Sequence, residues 1–258
     1  MALPANLLDL LPPALRQQGL RVGAAPSPEI SSQSLSLGVE ALNRVLPDHG
    51  LPRGAVVELS VHGSALGTSL GLAACRAAQQ AALSQGGSMP WCAFIDPSGT
   101  LYAPGVAAAG VELERLLVVR PSVEAMSRVA LRIVESAACA VTVIDTLGVP
   151  GQPLEVNLTA WTRVVRRLAM GVDGTAHTVI LLTDAAVARP LPLPVAQRIE
   201  IERPSENKLV VRVSKDKQGR VSAARPIAWV RSGPAWKNEH ASAIEGSARG
   251  LSNVRRLA

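Results

Sequence analysis

Two continuous apolar runs restrict the possible folds of this chain more than any other feature. Residues 140–145 (AVTVID) and 178–183 (TVILLT) are apolar at most positions and do not alternate with polar residues. Runs of this length and composition are typical of strands that are buried on both faces of a parallel sheet. The chain must therefore supply helices that cover such a sheet.

Other segments provide those helices and further strands. Residues 68–83 are an Ala-rich stretch that predicts a helix ending before Gly86-Gly87. Additional strands are predicted at 55–61, 92–96, 116–119, 198–202, 208–214 and 226–230. The last three alternate more regularly and contain a tight turn at Lys217-Gln218-Gly219, which indicates an antiparallel ribbon at one sheet edge. Strands alternating with helices predict one α/β domain.

Two later helices each have one apolar face. A helix over 123–138, with Ser122 as its N-cap, places Val123, Met126, Val129, Ala130, Ile133 and Ala137 on one stripe. A helix over 157–170 places Leu158, Trp161, Val164, Val165 and Leu168 on one face, and Arg163, Arg166 and Arg167 on the other.

The chain divides into three regions by composition. Residues 1–29 form a leader with several prolines and one short apolar helix, and residues 30–231 form the core. Residues 232–258 are rich in Gly, Ser and Asn, which predicts a flexible tail. The N-terminus lacks the charged start of a signal peptide, and no apolar run is long enough to span a membrane, so we expect a cytoplasmic protein without a membrane partner.

Composition excludes some functions and leaves others open. The 258 residues carry 26 Lys and Arg against 20 Asp and Glu, a net charge of +6 that favours an anionic partner. Only six residues are aromatic, too few for a surface that stacks single-stranded bases. The three cysteines are far apart, without neighbouring Cys or His, so we expect buried thiols and no metal site.

Six strings occur in the order and at about the spacing of the RecA ATPase core. They are SLSLGVEAL, GLPRGAVVELS, CAFIDPSG, AVTVIDTLG, TVILLTDA and KLVVRVSKDKQG. Over about residues 30–230 the chain therefore resembles the RecA family. The resemblance implies a RecA-like three-layer α/β core, with a mostly parallel central sheet and an antiparallel edge ribbon.

The segment after the first strand departs from the phosphate-binding motif GxxxxGK[ST] of that family. It reads VHGSALGTS over residues 61–69, and the first lysine of the whole chain is Lys208. In the ungapped alignment Gly67 replaces the motif lysine, and Thr68 retains the hydroxyl. A shift by one residue restores a glycine at Gly67 but places Thr68 where the lysine belongs. Both registers lack the cation that neutralises the phosphates, unless Arg53 or Arg76 replaces it from outside the loop.

Two further positions of the family site carry acids: one of these acids is present here with two possible roles, and the other is replaced. Asp145 matches the aspartate that orients Mg²⁺, but it can equally cap the loop after its strand, and without the lysine we favour the structural role. Ser98 stands where the family has the carboxylate that activates water, and a serine cannot act as that base. We therefore expect a protein that does not hydrolyse ATP, binds it poorly and needs no cofactor. The degenerate nucleotide loop and its partners comprise Gly63, Gly67, Thr68, Ser69, Ser98 and Asp145.

Basic residues are concentrated late in the chain. Residues 203–231 contain eight Lys and Arg against two acids. In RecA filaments the residues matching Lys215 and Lys217 face the neighbouring subunit, so the resemblance implies a retained subunit-facing surface; a solvated ribbon with charged edges explains the pattern equally well. The arginine face of the 157–170 helix is either a contact to phosphate or to an acidic partner, or the rim of a plain surface helix, and there we favour the plain surface helix. The candidate partner or DNA surface comprises Arg163, Arg166, Arg167, Lys208, Lys215, Lys217 and Arg220.

A RecA-like core with a degenerate nucleotide loop is most similar to the ImuA group of bacterial mutagenesis cassettes. The resemblance implies a nucleoid-associated accessory protein of the SOS response and translesion DNA synthesis. Its implied partners are RecA and an ImuB-like polymerase accessory protein, with weak DNA binding as an option. The alternatives are a SulA-like cell-division inhibitor that acts on FtsZ, a RecA-family ATPase with an atypical loop, and a DNA-binding module that uses residues 203–231.

Overall fold

The computed structural model describes residues 34–62, 64–149, 154, 156–157, 160–185 and 193–228. The predicted leader and the predicted tail lie outside these residues, as do Gly63 and Leu158.

Eight strands form one sheet in the order β3-β2-β4-β5-β1-β6-β7-β8. Strands β1 to β6 run parallel to one another, whereas β7 pairs antiparallel with both β6 and β8. The predicted mostly parallel sheet with an antiparallel edge ribbon is confirmed. The strands are β1 (Ala55–Val61), β2 (Trp91–Ile95), β3 (Leu116–Val119), β4 (Cys139–Asp145), β5 (Thr178–Asp184), β6 (Gln197–Ser205), β7 (Lys208–Asp216) and β8 (Arg225–Ala228).

Helices cover both faces of the sheet, as a three-layer architecture requires. The α-helices are α1 (Glu40–Asn43), α2 (Ser64–Ser84), α3 (Ala103–Ala108), α4 (Val123–Glu135) and α5 (Thr162–Val172), and short 3₁₀ turns lie at Pro47–His49 and Leu113–Arg115. One apolar cluster joins α2 to one face of the sheet. A second cluster joins α4 and α5 to the other face.

The side chains of strand β1 are divided between the two apolar clusters. All seven of its residues are buried. Val57, Leu59 and Val61 belong to the cluster with α2, whereas Val56 belongs to the cluster with α4 and α5. Successive side chains of a strand point to opposite faces, so a strand buried on both faces needs the apolar run seen in the sequence.

Helix α4 is shorter than the sequence predicts. Met126, Ala130 and Ile133 are buried as expected, but the helix ends at Glu135. Ala137, predicted on the buried stripe, is exposed and has φ of 52°. The left-handed conformation of Ala137 turns the chain directly into β4, which is why the stripe stops one turn early.

The arginine-bearing helix is displaced along the chain. Helix α5 starts at Thr162 and continues to Val172, so the predicted range of 157–170 is wrong at both ends. Trp161, Val165 and Leu168 are buried, in agreement with the predicted apolar face.

A buried ion pair links two neighbouring strands of the sheet. Arg198 of β6 donates from Nε to Oε2 of Glu58 in β1 over 2.7 Å, and both side chains are less than one-tenth exposed. Thr183 of β5 donates its hydroxyl to the other carboxylate oxygen of Glu58. Because buried charges are costly without partners, this pairing fixes the order β5-β1-β6 at the centre of the sheet.

The predicted buried thiols are confirmed, since Cys75, Cys92 and Cys139 are all buried and free. Within the part of the chain that the structure describes, no helix is long and apolar enough to cross a membrane.

Candidate nucleotide-binding site

The segments that would build a nucleotide site meet at the carboxyl edge of the parallel strands. Strand β1 leads into α2, β2 ends just before Asp96, and β4 ends with Asp145. β2 lies directly beside β4, and β5 separates β4 from β1. Ligands of open α/β sheets bind at this edge, so the fold brings the predicted residues to the expected place.

The connection between β1 and α2 is too short to form a phosphate-wrapping loop. Val61, which matches the first motif glycine, is the last residue of β1 and pairs with Asp184 and Ile201. The His62 amide continues this pairing by donating to the carbonyl oxygen of Ile201 over 3.2 Å. Helix α2 then begins at Ser64, four residues before its predicted start. Of the residues that match the phosphate-wrapping motif, Val61 therefore lies in a strand and residues 64–68 lie in a helix.

Gly67 lies in α2 against apolar side chains. A Cβ atom at this position would lie 2.6 Å from Cδ1 of Leu147, 3.1 Å from Cγ2 of Val61 and 3.5 Å from Cδ1 of Leu182. A lysine at Gly67 therefore has no room unless Leu147 moves. The next two residues, Thr68 and Ser69, are half-buried and exposed respectively.

Leu147 is held in this position by the loop after β4. Its amide donates to Oδ1 of Asp145 over 2.9 Å. The Thr146 hydroxyl donates to the Leu182 carbonyl oxygen over 2.6 Å, which anchors the loop to β5. These bonds hold the backbone of the loop that carries Leu147, and the aspartate that matches the Mg²⁺ position accepts one of them.

The Asp145 carboxyl is an unusual acid because of its burial. Burial raises its pKa to about 6, against the lowering effect of the Leu147 amide, and the nearby Asp96 adds a smaller upward contribution. The side chain is almost fully buried.

Asp96 and Ser98 shape the neighbouring loop. Asp96 accepts hydrogen bonds from the amides of Thr100 and Leu101, and its Oδ2 lies 3.4 Å from Nε of Arg120. The Ser98 hydroxyl oxygen is buried and has no hydrogen-bond partner among the described residues. Across the described ranges, no group of three or more His, Cys, Asp or Glu side chains could hold a metal ion.

The two arginines considered as replacement cations are engaged elsewhere. Arg76 donates to the carbonyl oxygens of Gly38 and Ala109. It also lies nine residues beyond Gly67 on α2, about 13 Å along the helix axis. Arg53 precedes β1, so it lies at the opposite edge of the sheet and donates to the Ala176 carbonyl oxygen.

The predicted basic residues do not form one surface. Arg163, Arg166 and Arg167 are exposed on α5, and Arg167 contacts Glu135 of α4 at 3.3 Å. Lys208 is exposed at the start of β7, whereas Lys215 and Lys217 lie at its other end. Those two lysines line a cavity together with Arg220.

Two features of that region carry no obvious signal in the sequence. The Glu58–Arg198 pair joins residues 140 positions apart. The cavity combines residues from five separate segments, and the sequence singles out some of its basic residues without indicating that they meet.

These observations define the class: an α/β core with a mostly parallel sheet, in which apolar side chains pack against Gly67 at the carboxyl edge. Comparison with known proteins gives the family. The RecA N-terminal domain model matches residues 18–162, so the chain belongs to the RecA family. The RecA-like fold predicted from the sequence is thereby confirmed.

Individual relatives match a limited part of their length. The chain is 33% identical to the protein RecA of Rhodospirillum centenum over 145 residues, which are 55% of this chain and 37% of that protein. It is 34% identical to the protein RecA of Gluconacetobacter polyoxogenes over 142 residues, 54% of this chain and 38% of the relative. The matched region thus spans little more than a third of these curated relatives.

Replacing Gly67 by the motif lysine tests the packing at this site. We expect Gly67→Lys to lower the free energy of unfolding by about 1–3 kcal/mol, because the new stem displaces Leu147. Adding Leu147→Ala should give a double variant more stable than the sum of the two single effects. Urea unfolding measures all three variants.

Gly105 provides the matched control for this substitution. It lies in α3, is exposed, and a Cβ there would meet only Tyr102 Cδ1 at 3.8 Å. Gly105→Lys should be neutral or stabilising, since lysine favours helices over glycine. Equal effects at both glycines, or full additivity in the double variant, would contradict the packing described for Leu147.

Asp145→Asn tests the buried acid. Between its unfolded pKa near 3.8 and its folded pKa of about 6, the folded wild-type protein binds more protons than the unfolded chain. Its stability therefore falls as pH rises through this window. Asparagine keeps the hydrogen-bond acceptor for the Leu147 amide without the charge. The free energy of unfolding of the variant, relative to that of the wild type, should therefore rise by about 2 kcal/mol as the pH is raised from 4 to 8.

Urea denaturation across that pH range measures the unfolding free energy of both proteins. The difference between the two values reports the titration of Asp145 alone. The neutral buried His177, whose pKa burial lowers to about 4, titrates in both proteins and cancels. A difference that does not change with pH would contradict the raised pKa of Asp145.

Proposed function

We propose that this chain is a non-catalytic accessory protein of the RecA family that acts in the DNA damage (SOS) response and in translesion DNA synthesis. It binds RecA, an ImuB-like polymerase accessory protein or both, and modulates RecA filaments, as the similarity to the ImuA group implies. The observation that carries the proposal is the packing of Leu147 against Gly67, because a side chain at Gly67, where the ungapped alignment has the phosphate-neutralising lysine, requires Leu147 to move.

Loss of the nucleotide site has a direct consequence for filament behaviour. A subunit that retains the RecA core but lacks nucleotide turnover has no hydrolysis-driven route to leave a filament end. Such a subunit would cap or limit a filament that it joins. Ser98 at the position of the activating carboxylate supports the same interpretation, because its hydroxyl cannot accept a proton from water at neutral pH.

The basic end of the β-ribbon supports a contact with a neighbouring subunit. Lys217 is exposed after β7, beside the tight turn that contains Gly219 with φ of 78°. Arg220 is already engaged within the chain, because its guanidinium pairs with Asp48 at 2.7 Å and with Asp216 at 2.9 Å. We therefore assign the partner contact to Lys217 and the turn, and assign Arg220 the role of fixing the turn.

Binding assays with purified partners test the function. The full chain should bind RecA filaments formed on single-stranded DNA, or the ImuB-like protein, in surface plasmon resonance. Lys217→Glu should weaken RecA binding about five- to ten-fold, because it places an acid at the contact. Arg128→Glu, the same change at an exposed position of α4, should leave binding unchanged.

Separate results would contradict the proposal or favour the SulA-like or the DNA-binding alternative. No detectable affinity for RecA and for the ImuB-like protein would contradict the proposal. Altered FtsZ polymerisation would instead favour the SulA-like alternative. Binding to DNA alone, falling steeply with salt, would favour the DNA-binding module.

A further inference from the structure

A cavity of about 520 Å³ lies at the edge of the sheet opposite the nucleotide loop. The start of β1, the end of α5, the residues before β6 and the turn after β7 surround it. Its size is within the range of small-molecule sites. The accessory role proposed above uses Lys217 and the turn at the rim of this cavity, but it assigns no ligand to the cavity itself.

The cavity has more positive than negative charge once internal ion pairs are taken into account. Four basic side chains line it: Arg53, Lys215, Lys217 and Arg220. Of its three acids, Asp48 and Asp216 both pair with Arg220. The described residues that line the cavity therefore carry four cations against three carboxylates, and Arg53, Lys215 and Lys217 form no ion pair with Asp48 or Asp216.

Two of those cations are held in place without being neutralised. Arg53 donates from Nη1 to the Ala176 carbonyl oxygen over 3.1 Å, and Lys215 donates from Nζ to the Leu193 carbonyl oxygen over 2.7 Å. Burial lowers the pKa of both groups. The Arg53 Nε atom is buried and has no hydrogen-bond partner among the described residues. Carbonyl oxygens fix the direction of these side chains but leave their charge for another anion.

The remaining wall of the cavity is apolar. Val56, Ala169, Val195 and Ala196 contribute to it, and Val56 and Val195 belong to the cluster with α4 and α5. A fully hydrated inorganic ion gains nothing from such a wall, whereas an organic anion can bury its apolar part there.

We propose that this cavity binds a small organic anion, with its carboxylate or phosphate between Arg53, Lys215 and Lys217 and its apolar body against Val56 and Val195. Charge and apolar burial both contribute, so a ligand with only one of these features binds more weakly. The site shares Lys217 with the partner contact proposed above, and it lies away from Gly67, which is not among its lining residues.

Four probes separate the two contributions. Phenyl phosphate and phenylacetate carry both features, inorganic phosphate carries only the charge, and benzyl alcohol carries only the ring. With the full chain, at least one of the first two should bind saturably in NMR titrations and shift the amide signals of Thr175 and Ala196. Inorganic phosphate and benzyl alcohol should each bind at least about five-fold more weakly.

Two lysine variants at opposite ends of β7 give a matched comparison. Lys217→Met removes one cavity cation and should weaken the better organic anion about five-fold. Lys208→Met removes a lysine outside the cavity and should have no effect. The change at Lys217 keeps its backbone bond to Ala196, so the fold is not expected to suffer.

Three results would overturn the proposal. The first is absence of saturable binding of both organic anions in the millimolar range. The second is equal affinity for inorganic phosphate and phenyl phosphate, which would remove the role of the apolar wall. The third is an equal loss of affinity in the Lys217 and Lys208 variants, or amide shifts confined to the start of α2.

Discussion

The contact between Leu147 and Gly67 is the packing constraint on which the proposed loss of nucleotide binding at the carboxyl edge of this sheet depends. Gly67 has no side chain, and Leu147 fills the space that a Cβ atom would need. A family site that holds triphosphate requires a cation at this place and backbone amides around the phosphates. The chain has apolar packing at that place, and its β1–α2 connection lacks the length to provide the amides.

The polar residues that survive at this edge now stabilise loops. Asp145 and Thr146 hold the segment that presents Leu147, and Asp96 holds the turn after β2 with two backbone amides and Arg120. The raised pKa of Asp145 indicates that this arrangement costs stability at neutral pH, because a charged carboxylate is kept out of water without a full counter-charge. The opposite edge shows the converse pattern, since its cations are fixed but not neutralised.

The sequence was sufficient to predict the strands of the sheet, but it did not predict how side chains pack at the ends of those strands. Continuous apolar runs predicted β4 and β5, and alternation predicted the β6–β7–β8 ribbon, because strand burial leaves a direct pattern in the residues. Helix α2 begins earlier than its Ala-rich stretch indicates, since nothing local in residues 64–67 distinguishes a first helical turn from a glycine loop. The absence of a motif lysine was visible in the sequence, but its replacement by Leu147 was not. That contact joins residues 80 positions apart and depends on the hydrogen bond between Asp145 and the loop.

Titration calorimetry with ATP and Mg²⁺, on the full chain and on its Lys217→Met variant, tests the central claim most directly. The variant removes a cavity lysine that could attract phosphate at the opposite edge. Packing of Leu147 against Gly67 predicts no saturable heat in the millimolar range for the variant, and no release of inorganic phosphate. Saturable micromolar binding that persists in the variant, accompanied by phosphate release, would show that the loop between β1 and α2 still accepts a triphosphate.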